Sequence, residues 1–133
     1  MFNRNILVTF FLLQVLPIIA PFSFAEDELN LDDSIMASCS VIKGDLPLNI
    51  WWQFHGEFDE LPYNLTTNDG VVVSRNNPKF SILSIEAVKA RHRGNYTCYA
   101  SNKGGVAQYS SYLAINGSYG FFAATQTRIL QFF

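Results

Sequence analysis

The stretch GNYTCYA, residues 94–100, decides how this 133-residue chain folds. Within it, Tyr96, Cys98 and Ala100 occupy every second position, which is the pattern of a β-strand that buries one face. The turn sequence KGG at 103–105 follows, and a further alternating run then extends to about residue 115. The stretch therefore predicts a β-hairpin whose first strand carries a cysteine into the core.

Two upstream positions complete a spaced pattern with Cys98. Cys39, the other of the two cysteines, lies 59 residues earlier in a second alternating run. Trp52 shares its strand parity with Phe54 and is therefore expected in the core. Two buried free thiols would account for the cysteines, and so would one disulfide across a core. A zinc site is disfavoured, because the chain has no closely spaced pair of cysteines.

Residues 1–17 have the layout of a secretory signal peptide. One positive charge, Arg4, precedes a mostly apolar run that is too short to span a bilayer. A buried core helix is the alternative, but the run has no polar face, and prolines and acidic residues follow it. We therefore expect export to a compartment in which a disulfide persists.

From about residue 30 onward, short alternating runs are separated by turn sequences such as NDG at 68–70. This pattern, without helical periodicity, predicts an all-β sandwich or barrel. Cysteine, then tryptophan, then a tyrosine two residues before the second cysteine is the arrangement of an immunoglobulin-like sandwich. In that fold Cys39 and Cys98 bridge the two sheets, which contributes about 3–5 kcal/mol. The predicted structural core includes Trp52, Tyr96 and Leu83.

Three segments resemble immunoglobulin domains of the Dscam (Down syndrome cell adhesion molecule) family, with an arthropod-like character: GDLPLNIWW at 44–52, KFSILSIEAV at 79–88 and HRGNYTC at 92–98. The segment IAPFSF at 19–24 resembles the opening strand of such a domain. Signal cleavage after Ala25 fits the small-residue rule but would remove that strand, so a cut near residue 17 is favoured. Where these domains often pair Asp with Arg, this chain has His92, and Arg75 resembles the Arg.

The resemblance implies an extracellular protein-recognition module for homophilic or heterophilic cell–cell adhesion, with a role in neuronal wiring and axon guidance. The implied partner is a protein, either another copy of this chain or a related immunoglobulin-domain protein. The implied location is secreted, or the extracellular face of the plasma membrane as part of a larger receptor. Two alternatives stay open: a secreted single-domain immune-type recognition or decoy protein, and a truncated fragment of a larger adhesion receptor.

Surface sites are predicted from parity and from short motifs. Sequons predict glycosylation at Asn64, Asn95 and Asn116. Trp51 has the opposite parity from Trp52 and points outward, where it either anchors a partner or covers a neighbouring strand. Residues 117–133 form an irregular tail that is too short and polar to span a bilayer. It lacks an amphipathic period, which favours a disordered or truncated end over a dimerisation or membrane-surface segment.

Several classes of function are disfavoured. The formal net charge of −2 and the scattered basic residues argue against nucleic-acid binding. No nucleophile elbow or paired-acid motif is present, so we expect no enzyme, catalytic residue, metal or cofactor. The sequence thus predicts an I-set-like immunoglobulin sandwich over residues 18–116 with one inter-sheet disulfide, preceded by a signal peptide and without a membrane span.

Overall fold

The computed structural model describes residues 13–24, 29–68 and 70–116. Within these ranges a single 3₁₀ turn, Ala90–His92, accompanies the β-strands. The strands are β1 (Ile18–Ile19), β2 (Ile35–Lys43), β3 (Asn49–Gly56), β4 (Tyr63–Asn64), β5 (Val71–Asn77), β6 (Phe80–Ile85), β7 (Gly94–Asn102) and β8 (Gly105–Leu113).

The strands form two four-stranded sheets. Sheet 1 has the order β1-β2-β6-β5, and sheet 2 has the order β4-β3-β7-β8. All the strand pairings are antiparallel. In sheet 2, Trp52 lies directly opposite Cys98, so the tryptophan and the cysteine point to the same side. The predicted all-β, two-sheet sandwich is confirmed.

A disulfide joins the two sheets through the core. Cys39 on β2 bonds to Cys98 on β7, with an S–S distance of 1.96 Å and the Cα atoms 6.3 Å apart. The predicted bridge is therefore confirmed, and the alternative of two free thiols is excluded. Trp52, Leu83 and Tyr96 are all fully buried around it.

Trp52 also forms a polar link between the sheets that the sequence did not reveal. Its indole Nε1 donates a hydrogen bond to Ser81 Oγ on β6 at 3.0 Å. The Ser81 hydroxyl in turn donates to the carbonyl of Ser74 on β5 at 3.2 Å. Because a buried donor without a partner costs about 1–3 kcal/mol, Ser81 allows the indole to be completely enclosed.

The connection between β6 and β7 is held by a tyrosine corner. The Tyr96 hydroxyl donates to the carbonyl oxygen of His92 at 2.6 Å. The backbone N–H of Lys89 donates to His92 Nδ1 at 2.8 Å, which fixes the imidazole across the 3₁₀ turn. Gly94 begins β7 with a φ of 151°, and a Cβ there would lie 2.5 Å from the carbonyl oxygen of His55. Glycine is therefore required at this position.

The structure corrects the interpretation of Arg75. Its guanidinium donates to the carbonyls of Leu48 and Pro78 at 2.8 and 2.6 Å. Pro78 follows the C-terminal end of β5, whereas the corner that contains His92 lies near the start of that strand. Arg75 is therefore not the counterpart of a corner acid in this domain.

The opening segment packs into the core as the resemblance implied. β1 pairs with β2. The ring of Phe22 contacts that of Trp52 with centroids 5.3 Å apart, and the buried Phe24 ring contacts Tyr96 at 5.1 Å. These contacts place residues 18–24 in the folded domain.

Residues upstream of β1 also contact the domain. The Val15 carbonyl accepts hydrogen bonds from the backbone N–H of Asp45 at 3.0 Å and from the side-chain amide of Asn102 at 2.7 Å. The Val15 N–H donates to the Asp45 carboxylate at 2.9 Å. Pro17 is buried beside Gly44. The packed chain thus extends into the predicted signal peptide, of which residues 1–12 lie outside the described residues, as does the predicted tail 117–133.

Candidate functional site

The outer faces of the two sheets are the surfaces from which this sandwich can contact a partner. On sheet 2, the indole of Trp51 stacks on the ring of Tyr99, with centroids 5.1 Å apart and 5° between the planes. Both rings are half-buried. Nearby, the hydroxyls of Thr97 and Ser110 share a 2.6 Å hydrogen bond. Trp51 therefore covers the adjacent strand, and its role as a binding anchor stays a prediction.

Two of the predicted glycosylation sites lie on sheet 2. Asn95 is exposed on the interior strand β7, in register with Tyr112 of β8. Asn64 is exposed on the edge strand β4, where its Oδ1 accepts a hydrogen bond from Gln53 Nε2 at 3.0 Å. Asn116, the third site, is exposed after the end of β8. All three positions are accessible to a glycosylating enzyme, and their occupancy stays a prediction.

The outer face of sheet 1 has a different character, because large apolar side chains are exposed on it among serines. Met36 and Ile42 on β2 are 60% and 59% exposed, and Val72 on β5 is 47% exposed. Phe80 and Ile82, on the β6 strand that lies between them, are half-buried. We call these five residues the apolar face. No sequon falls on it, and large apolar side chains clustered on one exposed face indicate an interaction surface.

The sequence interpretation missed the apolar face. Ser38 and Ser40 lie on the outward side of β2, and Ser34 precedes the strand with the same parity, so that side looks polar in the sequence. Met36 and Ile42 have the same parity as those serines. The alternation that places Ala37 and Cys39 in the core also points Met36 and Ile42 outward. Their exposure could therefore have been predicted from the sequence.

Other kinds of site find little support. Within residues 13–24, 29–68 and 70–116, no three His, Cys, Asp or Glu side chains are grouped so that they could hold a metal ion. The same ranges contain no helix with the length and apolar character needed to cross a membrane. Both cysteines are in the disulfide, so neither is a free thiol.

Comparison with known proteins decides the family. The family model described as immunoglobulin domain matches residues 17–102. The chain belongs to the immunoglobulin domain family. This immunoglobulin domain is 37% identical over 100 residues to "Cell adhesion molecule Dscam1" of Drosophila melanogaster, which covers 75% of the chain. It is 33% identical over 102 residues, or 77% of the chain, to "Cell adhesion molecule DSCAM" of Homo sapiens.

A solved structure supports the same assignment. The crystal structure of the Dscam1 Ig7 domain, isoform 5, is 37% identical, with a TM-score of 0.68 over 77% of this chain and 98% of that chain. The resemblance to Dscam immunoglobulin domains is therefore confirmed. Each of the two curated relatives is much longer, since the immunoglobulin domain spans 5% of its length. The family and the relatives are those of a binding module, and the domain is not an enzyme.

Proposed function

We propose that this immunoglobulin domain recognises proteins outside the cell, as a cell–cell adhesion module whose partner is another copy of itself or a related immunoglobulin-domain protein. The apolar face of sheet 1 is the observation that carries this proposal. Burying the exposed parts of Met36, Ile42 and Val72 against a partner is favourable at about 25 cal/mol per Å² of apolar surface. The similarity to proteins named as cell adhesion molecules supports the same function.

The proposed location is extracellular, either as a secreted protein or on the outer face of the plasma membrane within a larger receptor. The Cys39–Cys98 disulfide supports this location, because such bonds persist in oxidising compartments. Export would use the predicted signal peptide, shortened so that Val15 stays in the domain, and would expose Asn64, Asn95 and Asn116 to glycosylation. Glycosidase treatment of exported protein should lower its mass, and an unchanged mass would contradict occupancy of the sequons.

The proposed biological setting is neuronal wiring and axon guidance, which the Dscam resemblance implies. A secreted immune-type recognition or decoy protein is the competing proposal, and it makes a different prediction about self-association. An adhesion module binds copies of itself or its relatives, whereas a decoy binds a foreign ligand and leaves its own copies apart. A fragment of a larger receptor would be shown by a longer transcript that encodes further domains.

Bead aggregation with the exported, disulfide-bonded protein tests adhesion directly. Wild-type beads should aggregate, and beads carrying Met36→Lys should not, because the lysine charge would have to be desolvated at the contact. Gln108→Lys is the matched control, since Gln108 is exposed on the outer face of sheet 2. Dispersed wild-type beads, also in the presence of related immunoglobulin domains, would reject adhesion. Equal aggregation by the Met36 variant would reject the apolar face as the contact.

A further inference from the structure

The loop between β3 and β4 displays two large apolar side chains to solvent. Phe58 is 90% exposed and Leu61 is 76% exposed. Three acidic residues, Glu57, Asp59 and Glu60, lie between and beside them. We call residues 57–61 the acidic loop. Phe58 and Leu61 pack little against their own domain, so both side chains are available to a partner.

The acidic loop is held in place by several hydrogen bonds and an ion pair. The Asp59 carboxylate accepts a hydrogen bond from the Gly56 N–H at 3.0 Å. The Asp59 carbonyl oxygen accepts one from His55 Nε2, also at 3.0 Å. Arg93 on the neighbouring corner pairs with Glu57 at 2.8 Å. A loop that is already ordered loses less conformational entropy on binding. The Phe58 side chain is thus presented from a fixed backbone.

The apolar face ends in a groove of about 790 Å³ near the same corner. Met36 and Val72 form its apolar wall, together with Ala87. Lys89 and Arg91 line it together with Glu86, so that its margin carries a net positive charge. The volume lies within the roughly 300–1,000 Å³ of pockets that accept a small ligand, so it is large enough for one aromatic ring. This groove, which we call the basic groove, therefore complements the acidic loop in both polarity and charge.

We propose that the acidic loop of one copy inserts Phe58 into the basic groove of a second copy, with Glu60 next to Lys89. This contact rests on the proposed homophilic function and names the surfaces that would perform it. The Glu57 N–H donates to the Arg93 carbonyl at 3.2 Å, so loop and groove adjoin the same corner, residues 86–93. A two-fold axis near that corner places each loop in the groove of the other copy, which closes a dimer.

Sedimentation of the exported, disulfide-bonded chain measures the contribution of the aromatic anchor. Phe58→Ala should weaken the wild-type dimer about ten-fold or more, as expected for a central aromatic residue. Val106→Ala is the matched control, because Val106 is an exposed apolar residue at the start of β8. It should leave the dissociation constant unchanged. A dimer that Phe58→Ala does not weaken would overturn the proposal.

A charge exchange tests the pairing of the two surfaces. Glu60→Lys and Lys89→Glu should each weaken their own homodimer, because like charges then face each other in both contacts. An equimolar mixture of the two variants should form a heterodimer, since each loop then meets a groove of opposite charge. The double variant E60K/K89E should also dimerise. Thermal melts of each variant check that it folds. Lys89→Glu also removes the exposed ion pair of Lys89 with Asp32, which contributes little to stability.

The outcomes separate this contact from the function on which it rests. If wild-type protein self-associates but the mixture shows no preference for the heterodimer, adhesion stands and the loop-and-groove contact is wrong. If the wild type stays monomeric and its beads stay dispersed, homophilic adhesion fails and this contact fails with it. If the mixture forms heterodimers while neither single variant dimerises alone, both homophilic adhesion and the loop-and-groove contact are supported.

Discussion

Replacing Tyr96 with phenylalanine removes one buried hydroxyl from the tyrosine corner while keeping the ring. In the native domain that hydroxyl donates to the His92 carbonyl at 2.6 Å. The ring contacts Phe24 and Phe54 with centroids 5.1 and 4.6 Å away, and phenylalanine preserves both contacts. The substitution therefore isolates one buried hydrogen bond. We expect it to lower the free energy of unfolding by about 1–3 kcal/mol.

Urea unfolding of the oxidised domain, followed by tryptophan fluorescence, measures this loss. With an m-value of about 1–3 kcal/mol per molar urea, a loss of about 2 kcal/mol lowers the midpoint by roughly 1 M. Tyr112→Phe is the control, because Tyr112 is exposed on β8 and its substitution should change stability by less than about 0.5 kcal/mol. Equally small effects of the two substitutions would refute the role assigned to the corner hydrogen bond.

Alkaline pH gives the same prediction a second, independent measurement. Burial raises the pKa of the Tyr96 phenol above its ordinary range, and the nearby Tyr63 adds to the shift. Since the folded pKa is the higher one, the unfolded chain loses this proton first. The contribution of Tyr96 to stability is complete below about pH 10 and declines by up to about 1.4 kcal/mol per pH unit above it. The difference between wild type and Tyr96→Phe should therefore narrow above that pH, and a constant difference would contradict the assignment.

Three further predictions follow from the core and from the opening segment. Ser81→Ala should cost about 1–3 kcal/mol, because the buried indole N–H of Trp52 loses its acceptor, and an unchanged urea midpoint would contradict this. Replacing Cys39 and Cys98 together with alanine should cost about 4 kcal/mol for their separation of 59 residues. A thermal melt equal to that of the oxidised wild type would be inconsistent with that loss. N-terminal sequencing of exported protein should find a first residue at or before Val15. A later cut would remove the hydrogen bonds of Val15 to Asp45 in the β2–β3 turn. A folded product that lacks Val15 would disprove this prediction.

The fold could be predicted because its decisive signals are local in the sequence. The period of two places Tyr96 and Cys98 on one strand face without knowledge of any other strand. Cys39 is the other cysteine, so the bridge had one possible pairing within the chain once export was inferred. The structure confirms both the sandwich and the bridge. Both features follow from residue types and from the alternation of side chains along single strands, and these can be read directly from the sequence.

The remaining features depend on side chains that meet only after the sheets have packed. The period of two puts Ser81 on the same face of β6 as Leu83, but parity does not show which polar group lies across the core from it. Arg75 was assigned to the wrong end of β5, because its distance along the sequence does not show which end of that strand faces the corner. Phe58 was missed because an exposed loop has no period from which its side-chain exposure could be inferred.

The distribution of sequons and apolar side chains separates the two sides of this domain. A glycan on Asn95 would stand on an interior strand of sheet 2, where it would cover the neighbourhood of Tyr112 and keep other proteins away from that face. Met36 and Ile42 lie on the opposite sheet, on a face without a sequon. A partner of the glycosylated domain must therefore approach sheet 1 or an end of the sandwich. The apolar face and the basic groove meet that requirement, whereas the stacked pair at Trp51 lies on the sheet that carries Asn64 and Asn95.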